Sequence, residues 1–446
     1  MISPIEQIVF GLLILTGGVL LIPECLKAQS QVPEHIILTW EDDPMTTQSV
    51  TWRTEKKVPD PVAQIMKSTA APYGEGHAKT LPAKVQSVEN EGAKAYYYSV
   101  TFTGLDRGTK YLYRVGSEES DWSAWTQFST ASKSEDDFSF IYLGDIQNDI
   151  FSWGSRAIRA AYDHAPDAAF ALFAGDCVND GHSNDQWMEW FDASGYRTSM
   201  MPIVPVTGNH EYDHLPGLDE STLSVYWQKQ FELPSNGPRG LEESVFYMDY
   251  KDMRLVVLNS TAALSSAQEM QRQSHWLQSV LADHSQKWTI VTFHHALFTA
   301  RDGNHGDYPD LRAAWQPILE KHKVDLVLMG HDHVYARASK QTKTITVPEG
   351  EAGPVYLVSV AGPKMYGVVP ERRWMDRAAV NTQMYQTVTI RGDLLEFRAY
   401  TVVDELYDSF DLKKQPGAFN KFVENISSKT TPENRFPDGK SVRSKK

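Results

Sequence analysis

Five apolar segments in the second part of the chain are each followed at once by residues that can bind a metal ion. The segments lie between Phe138 and Met329, and the residues that follow them are Asp145, Asp176, Asn209 with His210, His294 with His295, and His331 with His333. A glycine before four of these groups permits a sharp turn and a close approach of the backbone. Continuously apolar runs are typical of strands buried on both faces, and helical stretches alternate with them. The pattern therefore predicts an α/β layered domain whose strands deliver these side chains to one edge of a sheet.

The five groups together indicate a metal centre, although each alone has a simpler interpretation. A single Gly-Asp after a strand is usually a turn. In combination, carboxylate, amide and imidazole donors without a thiolate suit Mn, Fe, Zn or similar divalent ions. Six or more donors exceed the three protein ligands of a catalytic zinc site, and they fit two ions roughly 3.5–4 Å apart. A carboxylate can bridge such ions, and a water between them loses a proton readily and becomes a nucleophile.

The first hundred residues or so have a different character, with short alternating segments rich in β-forming residues. Ile36–Trp40, Ser49–Arg53 and Ala95–Phe102 are examples, and the turn at Gly104–Thr109 precedes a Tyr-x-Tyr strand. Several strands at this spacing predict an all-β sandwich over residues 32–131, similar to a fibronectin type III module. Because chemically active residues do not cluster there, we interpret it as a structural module.

The ordered motifs Gly-Asp, Gly-Asp-x-x-Asn, Gly-Asn-His-Glu, Val-x-x-His and Gly-His-x-His resemble those of the calcineurin-like metallophosphoesterase superfamily. The segments Pro33–Thr54 and Arg398–Leu412 are similar to the opening and closing strands of purple acid phosphatases. The resemblance implies a four-layer α/β/β/α catalytic domain over residues 136–412, behind the β module. It also implies hydrolysis of a phosphate ester by a metal-bound hydroxide that attacks phosphorus in line.

The resemblance also implies a role for each matching residue. Asp145 and His333 would bind the first ion, Asp176 would bridge, and Asn209, His294 and His331 would bind the second ion. His210 would be catalytic, lying near the phosphate to stabilise charge or protonate the leaving oxygen, with Glu211 or Asp180 orienting its ring. His295, and His305 in the loop Asp302–Asp307, are candidates for substrate binding.

Two residues at the first site differ from the residues that the matching families have at these positions. Asn179 stands where purple acid phosphatases have a tyrosine, and Gln147 stands where other superfamily members have a histidine. Gln147 or Asn179 could still add an oxygen, and the ions stay open among Fe, Mn, Zn, Mg and Ca. We expect a weaker, harder and less selective first site, with Mn, Mg, Fe(II) or Ca rather than Fe(III).

The metal-loaded protein is also expected to lack the visible absorption band of a tyrosinate bound to ferric iron, because Asn179 has no phenolate. An absorption spectrum of the pure protein after loading with iron tests this expectation. A tyrosinate–iron charge-transfer band would show it to be wrong.

Three functions remain under comparison at this point. The first is an acid-phosphatase-type phosphomonoesterase acting on small phosphate esters, and the second is a phosphodiesterase or nucleotidase on the same centre. A surface binding protein with a vestigial centre is the third, and the intact set of ligands counts against it. The 446 residues carry 57 acidic and 43 basic side chains, a net charge of −14, which argues against nucleic acid as a structural partner.

The two ends of the chain predict export and a solvated tail. The apolar run Ile8–Ile22 is shorter than the roughly 20 residues of a spanning helix, and Leu26-Lys27-Ala28 offers a cleavage point, so residues 1–28 read as a signal peptide. We therefore expect a secreted or periplasmic protein without a membrane span, with an uncleaved anchor as the alternative. Residues 413–446 are polar and predict a C-terminal tail. The oligomeric state is left open.

Overall fold

The computed structural model describes residues 30–425, apart from 73, 91, 134–136, 216–219, 303–306, 370–373 and 416. The expected signal peptide at 1–28 and the end of the expected tail, 426–446, lie outside the described residues. So does His305, one of the two candidates for substrate binding.

The N-terminal module is a sandwich of two four-stranded antiparallel sheets. Its strands are β1 (Glu34–Thr39), β2 (Gln48–Thr54), β3 (Val62–Lys67), β4 (Lys79–Pro82), β5 (Lys84–Asn90), β6 (Ala93–Phe102), β7 (Lys110–Gly116) and β8 (Thr126–Ser129). The sheets have the orders β1-β2-β6-β5 and β4-β3-β7-β8. Alternate side chains meet in the core, where Trp52 stacks on Tyr98 with ring centroids 5.4 Å apart. The predicted all-β module is thereby confirmed.

The second part of the chain alternates strands and helices as predicted. Its strands are β9 (Phe138–Leu143), β10 (Ala171–Phe173), β11 (Ile203–Pro205), β12 (Tyr212–His214), β13 (Ser221–Leu223), β14 (Phe246–Tyr250), β15 (Met253–Val257), β16 (Trp288–Thr292), β17 (Leu326–Met329), β18 (Tyr335–Ala338), β19 (Glu351–Ala352), β20 (Val355–Val358), β21 (Arg377–Ala379), β22 (Met384–Arg391), β23 (Leu394–Thr401), β24 (Leu406–Lys413) and β25 (Asn420–Glu424). Its α-helices are α1 (Ser155–His164), α2 (Asn184–Ser194), α3 (Trp227–Gln230), α4 (Ser260–Ser265), α5 (Ala267–Ala282) and α6 (Pro309–Lys321).

These elements form the four layers that were predicted. One sheet has the order β11-β10-β9-β22-β23-β24-β25-β19, and the other has the order β14-β15-β16-β17-β20-β18-β21. Helix α1 packs on β9 and β22 of the first sheet, whereas α5 and α6 pack together over the second. Between the sheets, the hydroxyl of Tyr142 on β9 accepts the backbone N–H of Met329 on β17 at 2.9 Å. The two sheets therefore lie face to face, with helices outside each.

Local sequence signals explain where the helices begin and which side they bury. Ser183 and Ser266 cap α2 and α5, each accepting a backbone N–H three residues further on. On α2, Trp187 and Trp190 face the core and are 2% and 0% exposed, as their helical spacing predicts. Among the described residues, no helix is both long enough and apolar enough to span a membrane.

The β-sandwich is held against the catalytic domain by hydrogen bonds and by aromatic stacking. The hydroxyl of Tyr113 donates to the carbonyl oxygen of Ser199 at 2.6 Å, and the side-chain amide of Asn90 donates to the carbonyl oxygen of His182 at 2.6 Å. The ring of His35 stacks on Phe191 with centroids 4.5 Å apart. These contacts lie on α2 or on the segments that flank it.

The structured part of the chain continues beyond the predicted boundary at residue 412. Strand β25, at Asn420–Glu424, pairs with β24 and with β19, so it lies inside the first sheet. Part of the expected C-terminal tail, residues 413–446, is therefore a strand of the first sheet, at residues 420–424. Its alternation is too short and too polar to be read as a strand, but the unpaired edge of β24 provides a template for it.

A buried ion pair joins the two sheets on the side opposite the α1 layer. The carboxylate of Asp408 on β24 accepts hydrogen bonds from the hydroxyl of Tyr335 and from Nε of Arg337, both on β18, each at 2.7 Å. We expect Asp408→Ala to lower the free energy of unfolding by about 1–3 kcal/mol, because the buried Tyr335 hydroxyl and Nε of Arg337 lose their acceptor while Asp376 and Glu424 remain beside the guanidinium. Chemical denaturation measures this loss.

Asp163→Ala provides the comparison for that experiment. Its carboxylate is 72% exposed and pairs with Arg197 at 2.9 Å, so its loss should cost less than about 1 kcal/mol. Equal effects of the two substitutions would contradict a special role for the buried pair.

Candidate metal centre

The predicted ligands converge where the two sheets of the catalytic domain meet. Three of the five groups follow β9, β10 and β11 of the first sheet, and two follow β16 and β17 of the second. The expectation of a single sheet edge was therefore incomplete. The site is shared between two sheets, because each sheet presents the carboxyl ends of its parallel strands on the same side of the molecule.

The backbone is strained at these strand ends, and two glycines make room for the carboxylates. Asp145 and Asp176 both have φ of 51°, in the left-handed region. A Cβ on Gly208 would lie 2.1 Å from Oδ1 of Asp176, and one on Gly330 would lie 2.5 Å from Oδ2 of Asp145. Only glycine fits these positions, and such strain is typical of functional sites.

The second-site residues form a compact donor cluster. Nε2 of His294 lies 3.2 Å from Oδ2 of Asp176 and 3.2 Å from Nδ1 of His331. Oδ1 of Asn209 lies 2.9 Å from that same nitrogen of His331 and 3.2 Å from Nε2 of His294. Donor atoms about 3 Å apart match ligands that share one ion at bonds of about 2.1 Å. This donor set fits a divalent metal ion.

The first-site residues form a second cluster that shares Asp176. Asp145, Asp176 and His333 each place a ligand atom within 4.8 Å of the others. Nδ1 of His333 donates to the carbonyl oxygen of Lys364 at 3.0 Å, which leaves Nε2 for the ion. Asp176 belongs to both clusters, so its carboxylate is the group that the two clusters share.

The two tentative ligands differ in their surroundings. When the side-chain amide of Gln147 is assigned from its hydrogen-bond partners, its nitrogen lies 3.3 Å from Oδ2 of Asp176 and its oxygen lies 2.8 Å from Nζ of Lys364. Asn179 instead turns its side-chain oxygen toward the amide of Asn148, at 3.2 Å. The side-chain amide of Gln147 therefore lies beside the first cluster, whereas that of Asn179 is hydrogen-bonded outside it.

Burial and mutual charge shift the ionisation of the acidic ligands and of His294. Burial raises the pKa of Asp145 well above its ordinary value. Burial also opposes ionisation of Asp176, but the neighbouring charge of His294 outweighs it and lowers the pKa of that carboxyl. Burial acts to lower the pKa of His294, but the negative charge of Asp176 outweighs burial and raises that pKa to about 10. Metal binding at neutral pH therefore displaces protons, because ligands bind in their deprotonated forms.

The remaining imidazoles are kept neutral by their surroundings. Burial lowers the pKa of His331 well below its ordinary value. It lowers the pKa of His333 to about 3, and the charge of Lys364 acts in the same direction. A neutral imidazole is the form that binds a metal ion.

His210 lies beside the bridging carboxylate, but its ring is oriented differently from the prediction. Its backbone N–H donates to Oδ1 of Asp176 at 2.9 Å, and its Nδ1 donates to the carbonyl oxygen of Asn179 at 2.7 Å. The expected partners are engaged elsewhere. Asp180 accepts the backbone N–H of His182, and Glu211 accepts those of Asp176, Cys177 and Gly208. Because Glu211 is fully buried behind the turn, it supports the Asp176 loop rather than the His210 ring.

His295 is placed behind the ligands, and its described contacts are with other side chains. It is 5% exposed, its Nδ1 lies 2.8 Å from the hydroxyl of Ser260, and its ring centroid lies 4.4 Å from that of His331. Such a position suits packing against a ligand rather than direct contact with a substrate.

Two residues of the centre were missed in the sequence. The hydroxyl of Tyr308 lies 2.7 Å from Nε2 of His331, and Lys364 contacts both Gln147 and His333. Tyr308 stands at the start of α6, directly after the loop Asp302–Asp307, and no recognised motif includes it. Lys364 directly follows the Gly362-Pro363 pair. A lysine directly after a Gly-Pro pair carries no signal that distinguishes a packing loop from a loop that reaches the site.

Tyr308 orients a predicted ligand, and its removal tests that contact. Its hydroxyl accepts the Nε2–H of His331 and so fixes Nδ1 as the nitrogen that faces the second cluster. We expect Tyr308→Phe to weaken metal binding at the second site by about 10- to 100-fold. Equilibrium dialysis with Mn²⁺ measures this, and Tyr366→Phe, beside His333, is the comparison. An unchanged affinity in Tyr308→Phe would contradict the orienting role.

Two known protein families match this chain, one for each domain. Residues 33–130 match "Purple acid Phosphatase, N-terminal domain", and residues 138–335 match "Calcineurin-like phosphoesterase". Purple acid phosphatase 1 of Ipomoea batatas is 24% identical over 295 residues, which cover 62% of this chain and 61% of that protein. The Fe(3+)-Zn(2+) purple acid phosphatase 12 of Arabidopsis thaliana is 23% identical over 294 residues, with the same shares.

Solved structures extend the likeness of fold to nearly the whole chain. A purple acid phosphatase from yellow lupin (Lupinus luteus) seeds matches with a TM-score of 0.73 and 16% identity, covering 91% of this chain and 78% of that one. PhoD matches with a TM-score of 0.64 and 12% identity, covering 91% and 94%. The sequence matches thus span about three fifths of the curated relatives, whereas the structural matches confirm the predicted architecture.

Proposed function

Since the chain belongs to the calcineurin-like phosphoesterases and carries the N-terminal domain of purple acid phosphatases, we propose that it hydrolyses phosphate monoesters at a centre of two divalent ions. The observation that carries this proposal is the pair of donor clusters that share Asp176. When bound, two such ions supply an activated water and clamp the attacking and leaving oxygens of an in-line displacement.

The residues of this chain would hold the two ions as follows. Asp145 and His333 would hold the first ion, and Asn209, His294 and His331 would hold the second. Asp176, at the shared position, would join the two halves of the centre and is held by the backbone N–H of His210 at 2.9 Å. Charge on these buried carboxylates is neutralised when the ions bind, so an anionic ester can enter a protein whose net charge is −14.

His210 is proposed as the catalytic residue that meets the substrate. Because its Nδ1–H donates to the carbonyl oxygen of Asn179, Nε2 is the nitrogen available to a phosphate or leaving oxygen. In that position it would stabilise charge in the transition state or give a proton to the departing alkoxide.

A comparison of two substrates tests the monoester proposal against its alternative. Purified protein loaded with Mn²⁺ or with Fe and Zn would be assayed on p-nitrophenyl phosphate and on bis-p-nitrophenyl phosphate. A higher kcat/KM on the monoester supports the phosphomonoesterase, and the reverse order favours a phosphodiesterase. Hydrolysis of neither ester, with both ions bound, would favour the binding-protein hypothesis instead.

Export is proposed on the apolar N-terminal segment alone. Sequencing the N-terminus of the mature protein from a cell fractionation would test it, and a mature chain that begins near residue 29 is the expected result. A chain that keeps Ile8–Ile22 and sediments with membranes would instead support the uncleaved anchor.

A further inference from the structure

Lys364 brings a positive charge to the first donor cluster. The segment Ala361–Tyr366 runs beside this cluster, where the backbone N–H of Gly362 donates to the carbonyl oxygen of Asp145 at 2.8 Å. The carbonyl oxygen of Lys364 accepts Nδ1 of His333 at 3.0 Å, and its ammonium lies 2.8 Å from the side-chain oxygen of Gln147. One residue therefore contacts two of the groups that surround the first cluster.

The side-chain oxygen of Gln147 has two possible cationic partners. It lies 3.3 Å from Nε2 of His333, a separation that suits two ligands of one ion with bonds of about 2.1 Å. The same oxygen accepts the ammonium of Lys364. Because two cations cannot share one carbonyl oxygen at close range without strong repulsion, the lysine and an ion at the first cluster oppose each other.

The second cluster is also influenced by a positive charge, since burial lowers the pKa of His331 and Arg301 adds to that effect. Two of its imidazoles form hydrogen bonds with neutral groups. His294 contacts the carbonyl oxygen of Ala174, and His331 contacts the hydroxyl of Tyr308. The described contacts thus place the lysine on one side of the centre. The two clusters therefore differ in their ligands and in the side chains that contact those ligands.

On the premise of a two-ion centre, which rests on the proposed function, we propose that the ammonium of Lys364 is an internal cation of the first site. It competes with the first metal ion for the oxygen of Gln147 and for the negative charge of Asp145 and Asp176. Lys364 consequently lowers the affinity of the first site and makes its ion more readily exchanged. Lys364 acts here as a positioning residue that sets metal occupancy.

Metal binding to Lys364→Met tests this without any activity measurement. The apo protein would be titrated with Mn²⁺ by equilibrium dialysis, and electron paramagnetic resonance would distinguish isolated Mn²⁺ from a coupled pair. Wild type should bind one ion tightly and a second more weakly. In Lys364→Met, the dissociation constant of the weaker ion should fall at least about tenfold, because the repelling charge is gone. The coupled signal should then form at lower Mn²⁺.

Two further variants control for charge and for position. Lys364→Arg keeps the cation and should bind Mn²⁺ like wild type. Lys421→Met, on the exposed face of β25, changes the net charge equally but far from the centre, and it should also match wild type. Thermal unfolding in a chelator checks that all variants are folded.

Two outcomes would overturn the proposal, and they are distinguishable. If wild type and Lys364→Met fill both sites with dissociation constants within twofold of each other, the role of the lysine is wrong and the two-ion centre stands. If neither protein binds a second ion at any Mn²⁺ concentration, the proposal and the dinuclear function both fail.

Discussion

Asp176→Asn is expected to remove both metal ions and to lower kcat/KM at least about a thousandfold, equivalent to about 4 kcal/mol of transition-state stabilisation. The residue belongs to both donor clusters and is 1% exposed. Asparagine keeps its size and one oxygen but removes the negative charge. Two divalent ions a few ångströms apart then repel each other without a shared anion between them.

The measurement is metal content beside activity, on Asp176→Asn and wild type prepared together. Asp180→Asn is a matched control, because Asp180 lies four residues away and its carboxylate caps the backbone N–H of His182 rather than joining either cluster. It should keep both ions and most of the activity. An Asp176→Asn protein with two bound ions and full turnover would refute the dinuclear mechanism.

His210→Ala is expected to lower kcat by about 10²- to 10⁴-fold while both ions stay bound. The ring contributes no atom to either cluster, so its removal spares the metal ligands. It would take away the imidazole whose position is set by the carbonyl oxygen of Asn179 at 2.7 Å. The backbone N–H that contacts Asp176 remains in the variant.

Leaving groups of different basicity show which task the ring performs. If His210 protonates the departing oxygen, the loss should be larger for an alkyl phosphate than for p-nitrophenyl phosphate, since p-nitrophenolate leaves without a proton. An equal loss on both would indicate charge stabilisation instead. His214→Ala, an exposed histidine on β12, controls for a general effect on this segment. Full activity in His210→Ala would exclude both roles.

The metal ligands could be read from the sequence because their placement is local. A buried strand, a glycine turn and a polar residue lie within a few positions of one another, so Asp145, Asp176 and His331 each carry their own signal. The layered fold could be read for the same reason, from apolar runs that alternate with helices such as Ser155–His164. That helix begins and ends where the periodicity predicts.

The features that the sequence did not predict correctly depend on contacts between distant parts of the chain. Strand β25 forms only when β24 and β19 present edges to it. The ring of His210 is oriented by a backbone carbonyl, which any residue type at position 179 would supply. Neither feature can be predicted from residue type or spacing.

By itself, the sequence determined the kinds of donors, their order and the strand ends that carry them. These follow from hydrophobic periodicity and turn chemistry, which act over a few residues. The tertiary structure decided that the donors come from two sheets, that Tyr308 orients His331, and that Lys364 reaches Gln147 across more than two hundred residues of chain. Such neighbours are selected by the packing of whole layers, whose free energy is summed over many long-range contacts and is not encoded at any one position.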